Sequence, residues 1–176
     1  MKVLLLNGSP RKNGCTYTAL NVVADALKAE GIDAEVFQAG DPDMENVKAA
    51  AAKLKDSDAL VVGSPVYWAS PSGQIIEFMD RLASVAGKDM LYKPAAAVAS
   101  ARRAGTTATL DVLTKYFSYH QMPVVSSCYW NMVHGNTPEE VMKDEEGVQI
   151  MRVLGKNMAW LLKCIEAGKK NGVAVP

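Results

Sequence analysis

The chain has 176 residues, 49% of them apolar and 22% charged, with 19 basic against 19 acidic side chains. That length suits one domain, and the composition excludes a collagenous or disordered polymer. Zero net charge excludes a global basic field for nucleic acid, while a small anion held by one or two cations stays compatible.

No apolar run reaches the ~18–20 residues that span a bilayer. The opening run Val3–Leu6 breaks at Asn7-Gly8-Ser9-Pro10, too short for a signal-peptide core. Cys15, Cys128 and Cys164 are odd in number and widely spaced, which fits neither a disulfide framework nor a Cys-x-x-Cys metal site. The expectation is one reduced, cytoplasmic folding unit over 1–176, without membrane or nucleic-acid partners.

Along the chain, apolar runs alternate with helical stripes. Val3–Leu6 reads as a strand buried on both faces. Leu20, Val23, Ala24 and Leu27 recur at helical spacing within 16–30, with Gly31 placed to end the helix. Then come a strand over 34–38, an Ala- and Lys-rich helix over 44–55 and an apolar strand over 59–63. Ile75, Phe78, Met79 and Leu82 predict a third helix, with Ser70-Pro71 as its N-cap and first turn. A small-residue strand over 95–99, a helix carrying Leu110, Leu113 and Phe117, and a fifth strand over 123–126 follow. Ile150, Leu154, Met158, Leu161 and Ile165 mark a long terminal helix, with Lys169 and Lys170 at its end. Strands alternating with helices predict an α/β fold: a five-stranded parallel sheet covered on both faces. Such sheets bind ligands beyond the carboxyl ends of their strands.

The loop after the first strand runs from Asn7 through Ser9, Arg11, Lys12, Asn13, Gly14 and Cys15 to Thr16. Hydroxyls, amides and two cations ahead of a helix N-terminus suit an anion site, the bland alternative being a polar turn with Thr16 as an ordinary N-cap. The loop lacks the third Gly of a dinucleotide fingerprint and the Gly-Lys-Ser/Thr of a Walker loop. Asn21 stands where a cysteine phosphatase would want Arg, and Asn7 where a phospho-acceptor receiver would want an acid. Arg11 and Lys12 beside a helix start would favour a Cys15 thiolate, yet no histidine lies nearby in sequence, so packing or an N–H toward phosphate is the reading preferred for Cys15. Pro65, Val66, Tyr67 and Trp68 offer an aromatic ledge, and adjacent loop aromatics cannot both point inward easily. Ser100, Ala101, Arg102, Arg103 and Gly105 offer a cationic corner, or else a solvated pair of arginines. The segment 127–136 carries Tyr129, Trp130, Met132 and His134, suited to covering a ligand or docking a second subunit. Neither His134 nor His120 has a metal-ligand partner at recognisable spacing, so no metal site is expected.

Gly8–Thr16, Ser64–Ser72, Phe78-Met79-Asp80-Arg81, Arg103–Thr107 and Asn131–Gly135, in this order, resemble the NADPH-dependent FMN reductase group, above all the flavodoxin-like domain of iron–sulfur flavoproteins. The resemblance implies a flavodoxin-like three-layer sandwich that binds FMN. It implies that Ser9, Arg11, Asn13, Cys15 and Thr16 hold the phosphate and that Pro65, Val66, Tyr67 and Trp68 line the isoalloxazine. Ser100 to Gly105, with Ala101 and Arg103, would reach the pyrimidine side, where Arg102 or Arg103 would stabilise negative charge on the ring. One departure stands out. Iron–sulfur flavoproteins carry a cysteine cluster between the second and third strands, and 38–55 here contains no cysteine, so no iron–sulfur centre is expected.

The expected function is an oxidoreductase passing hydride from NADPH or NADH to FMN and on to a small acceptor such as a quinone, flavin, nitro or azo compound. The alternative is a flavodoxin-type electron carrier without a substrate of its own, against which zero net charge argues weakly. A homodimer or homotetramer is expected from the resemblance and from the 129–134 loop.

Overall fold

Alternation within the first strand sets the architecture. In β1 (Lys2–Asn7) Val3 and Leu5 enter one core while Leu4 and Leu6 enter another, and all four are fully buried. A strand with both faces covered sits mid-sheet. Each fully buried Leu there contributes about 1.5–3 kcal/mol. The structure, a computed structural model, describes residues 1–175.

The elements after β1 are α1 (Cys15–Ala29), β2 (Asp33–Gln38), α2 (Met44–Lys55), β3 (Ala59–Tyr67), β4 (Ser70–Pro71) and α3 (Gly73–Met90). They continue as β5 (Ala95–Ala101), α4 (Thr106–Tyr119), β6 (Met132–His134), α5 (Pro138–Lys143) and α6 (Glu145–Lys170). The parallel strands lie in the order β2-β1-β3-β5-β6. From β1 the chain steps to one side for β2 and crosses back for β3, so the order reverses beside β1. Crevices open at such a point because the flanking loops diverge. Leu20, Val23, Leu27, Leu154 and Met158, from α1 and α6, fill one core. Phe78, Leu82, Leu113 and Phe117, from α3 and α4, fill the other together with Val47 and Leu54 of α2.

Three expectations are corrected. The fifth strand is not 123–126: only Val124 bridges Ala95, and the ladder with β5 is made by Met132–His134. The side chain of Asn131 explains the excursion between them. Its Nδ2 donates to Ala97 O at 3.0 Å, filling the place a strand amide would take, while Ser127 Oγ donates to Ile150 O at 2.6 Å and draws the loop toward α6. Nor do Ser70-Pro71 start the third helix. They pair antiparallel with Val66 and Tyr67 as a hairpin, and Ser72 is the cap, its Oγ accepting from Ile75 N at 3.3 Å. The third correction is α5, a helix the apolar spacing did not reveal, with Pro138 in its first turn and Thr137 as its cap.

Candidate functional site

At the carboxyl end of β1, Asn7 is fully buried and knits the first loop together. Its Oδ1 accepts from Ser9 N at 3.2 Å, and its Nδ2 donates to Gln38 Oε1 at 2.7 Å and to Lys12 O at 3.2 Å. Gln38, at the end of β2, returns a bond from Nε2 to Ser9 O at 2.6 Å. Ser9 Oγ then accepts from Arg11 N at 3.1 Å. The loop crosses directly over the sheet at Gly8, where a Cβ would lie 2.6 Å from Ile75 Cβ and 2.7 Å from Gly63 O. Only glycine fits that crossing.

Helix α1 starts one residue earlier than its apolar stripe predicts, at Cys15, and its cap is Gly14 in extended backbone. No side chain accepts from its first-turn N–H groups, and no acid stands in that turn. Orphan N–H groups with a positive dipole end attract an anion. Thr16 lies within that turn, and its hydroxyl meets Ser100 Oγ at 2.7 Å, tying α1 to the end of β5.

A cleft of about 250 Å³ opens here, lined by Ser9, Arg11, Cys15 and Thr16 from the first loop and by Pro65, Val66 and Tyr67 from β3. Ser100, Ala101 and Arg102 come from β5 and its loop, and Gly135 and Asn136 from beyond β6. Two arginines and no carboxylate face it. Closed small-molecule pockets run ~300–1,000 Å³, so a ligand seated in this open cleft keeps one face in solvent. A larger hollow, about 650 Å³, lies between α3 and α4 against Tyr116 and Tyr119, away from the strand ends. The small cleft is the candidate because the anion-seeking groups converge there and not in the larger one.

Residues 1–137 match the profile of the NADPH-dependent FMN reductase family. The chain belongs to that family. An iron–sulfur flavoprotein of Methanocaldococcus jannaschii is 29% identical over 192 aligned positions, covering 94% of this chain and 100% of the relative. That alignment is longer than the chain's 176 residues, so the relative carries inserted segments absent here. An NADPH azoreductase of a Bacillus species is 30% identical over 108 positions, 57% of this chain and 59% of the relative. Among solved structures, the FerB flavoenzyme from Paracoccus denitrificans, an NAD(P)H:(acceptor) oxidoreductase, superposes with a TM-score of 0.73 at 17% identity, covering 93% of this chain and 97% of that one. The likeness establishes a flavodoxin-like fold, and this member of the FMN reductase family is an FMN-dependent oxidoreductase.

The residues present fit FMN. An uncapped helix start with Arg11 at the rim meets the charge of a phosphate ester. Pro65, Val66 and Tyr67 give a flat apolar flank, with Tyr67 41% exposed. Arg102 faces the cleft from the β5 side.

Four residues expected at the site lie outside this lining. Asn13 is exposed at the tip of the first loop. Arg103 is turned to solvent, and its backbone carbonyl lies 3.2 Å from His134 Nε2. Gly105 caps α4 at φ +98, where a Cβ would stand 2.7 Å from Ala69 Cα. Its role is to let the hairpin seat on that helix. Trp68 is 100% exposed at the hairpin tip. Tyr67 pairs with Ser70, leaving Trp68 and Ala69 as a two-residue turn at φ 53 and φ 57. Left-handed backbone costs an L-residue about 1–2 kcal/mol, and neither Gly nor Asn is present to lower it.

The thiol of Cys15 is not a nucleophile in waiting. Burial pushes its pKa up, a tendency that Glu140 and Glu139 reinforce and that a backbone hydrogen bond and Arg11 only partly oppose. Sequence reasoning placed Gly135 and Asn136 in a segment suited to covering a ligand without naming them as residues that hold it, and it missed the organising role of Asn7 with Gln38. The first two follow a strand displaced from its predicted place, and the third is a pairing across 31 residues.

Proposed function

We propose that this chain is an NAD(P)H-dependent reductase that holds FMN in the cleft at the ends of β1, β3 and β5 and reduces a small acceptor at the exposed face. The observation that carries this is the uncapped start of α1 in a cleft with two arginines and no carboxylate. In this reading the N–H groups of the first turn, with Ser9, Arg11 and Thr16, bind the phosphate. Pro65, Val66 and Tyr67 flank the ring, and Ser100, Ala101 and Arg102 meet its polar edge. When bound, FMN would supply the redox chemistry, two-electron transfer between a reduced nicotinamide and the acceptor. No side chain needs to act as a nucleophile. The chain's work is to bind, to orient and to leave one face open. Arg102 stabilises negative charge at the ring edge by a charge-assisted hydrogen bond, a contribution of about 1.5–3 kcal/mol.

The protein works without an iron–sulfur cluster in this reading. The stretch 38–55 holds no cysteine, and Cys15, Cys128 and Cys164 sit on α1, the 126–131 excursion and α6. Among the described residues no group of three or more His, Cys, Asp or Glu could hold a metal, and no helix is long and apolar enough to cross a membrane. Free thiols suit a reducing compartment such as the cytoplasm. Self-association belongs to the proposal through Tyr129 and Trp130, which stand 52% and 57% exposed as an edge-to-face pair at the open edge of the sheet.

The test is the absorption spectrum of the purified protein, an iron assay on the same sample, and anaerobic titration with NADH and NADPH. One FMN per chain, no iron and rapid bleaching by a reduced nicotinamide are expected. A chain that takes up no FMN overturns the proposal, and a flavin that neither nucleotide bleaches turns it toward an electron carrier.

A further inference from the structure

Trp68 exposes 100% of its surface, and none of it lines the cleft. An indole left in water gives up the burial for which such a side chain is normally placed. Here it also sits on a turn that strains both central residues, at φ 53 and φ 57. Glycine or asparagine would relieve the strain and remove the exposed ring together.

The turn is nevertheless firmly seated. Val66 pairs with Pro71 and Tyr67 with Ser70. Ser72 N donates to Ser64 Oγ at 3.0 Å, and Ser72 Oγ donates to Gly8 O at 2.9 Å. Ala69 approaches Gly105 so closely that a Cβ there would meet it at 2.7 Å. The backbone thus fixes position 68 on the hairpin turn, one residue beyond Tyr67, which lines the cleft. An exposed aromatic ring carried on a seated turn next to an open cleft favours a planar aromatic partner over a small polar one.

The geometry points to Trp68 as a specificity-determining residue that stacks a planar aromatic electron acceptor at the mouth of the cleft. This rests on the function proposed above. The acceptor class is an aromatic ring system, such as a naphthoquinone, that takes two electrons with protons from solvent to become its hydroquinone. Ferricyanide, compact and non-planar, draws nothing from the indole and serves as the internal reference.

The experiment uses FMN-loaded protein with NAD(P)H as reductant and compares Trp68→Gly, Trp68→Asn and Trp68→Phe. The ratio of kcat/KM for menadione to that for ferricyanide falls at least about fivefold in the Gly and Asn variants, chiefly through the quinone KM. Trp68→Phe, which keeps a ring, holds the ratio within about twofold. In the same Gly and Asn variants Tm rises by about 2–4 °C as left-handed strain is relieved. Activity lost together with stability signals a merely structural role and overturns the assignment. So does an unchanged ratio, an equal fall for both acceptors, or a Phe variant that behaves like Gly. An unchanged ratio with altered sedimentation gives Trp68 to a subunit contact instead. A wild-type chain that takes up no FMN overturns the underlying function and this assignment with it, a failure visible before any variant is made.

Discussion

Helices in this molecule start in two different ways. α2, α3, α5 and α6 begin behind Asp43, Ser72, Thr137 and Asp144, each accepting a hydrogen bond from its own first turn. α1 and α4 begin behind Gly14 and Gly105, with no side-chain cap and no acid in the first turn. Caps stabilise a helix by about 1 kcal/mol, so two of six helices forgo what the others take. Both of those starts follow strands at the carboxyl edge of the sheet, where the cleft lies. The lesson is that an unfilled helix start is informative when its neighbours are filled, because its orphan N–H groups are then open to a partner from outside the chain.

Filling the gap is the sharpest way to break this contrast. Gly14→Asp adds a cap on extended backbone, with the new Cβ 3.1 Å from Arg11 Cβ, a tight approach to which the loop yields by a few tenths of an ångström. The FMN-free protein should gain up to about 1 kcal/mol of stability while FMN binding weakens at least ~100-fold, about 2.7 kcal/mol, as two anions compete for one site. Isothermal titration beside thermal melts of the FMN-free protein measures both. A variant that binds FMN normally would show that the phosphate sits elsewhere.

Removing a cation tests the same site more gently. Arg11→Ala should weaken FMN binding about 10–100-fold, the loss of one charge-assisted bond. Its Tm should fall only in the presence of FMN, since a ligand bound to the native state adds stability by mass action. The converse holds at a capped helix. Asp43→Ala removes the acceptor for Glu45 N and should lower stability by about 1 kcal/mol, equally with and without FMN, leaving the dissociation constant unchanged.

The smallest effect concerns Cys15, which stands at an uncapped start where a thiolate would ordinarily gain. Burial wins, and its folded pKa is raised. With the neutral thiol favoured, alkylation by iodoacetamide should rise with pH through a midpoint above that of an ordinary thiol. At neutral pH it should run at least about tenfold slower than at the exposed Cys128. Mass spectrometry of the labelled peptides reads both rates, and equal rates would mean that the dipole and Arg11 prevail after all.

Much of the fold was legible from local pattern. Leu20, Val23 and Leu27 announce a helix because side chains 3 and 4 apart share a face, and Val3–Leu6 announces a doubly buried strand because every residue in it is apolar. The hairpin at Tyr67–Ser70 was not legible, since its turn lacks the Gly or Asn that normally marks one. The last strand was misplaced for a related reason. Pro123–Ser126 has the composition of a strand, but Asn131 takes the hydrogen bond that would have extended it, and a side chain from six residues on is invisible to a propensity.

By itself the sequence determined the alternation of strands and helices, the polar Gly-containing loop after β1 and the lack of cysteines between the second and third strands. These depend on residue type and on spacing over a few positions. Tertiary structure alone decided that Thr16 meets Ser100 across 84 residues, that Arg102 rather than Arg103 faces the cleft, and that Gly135 and Asn136 close its far side. The reason is physical: side-chain direction and long-range hydrogen bonding follow from how the layers pack, and no local window contains both partners of such a contact.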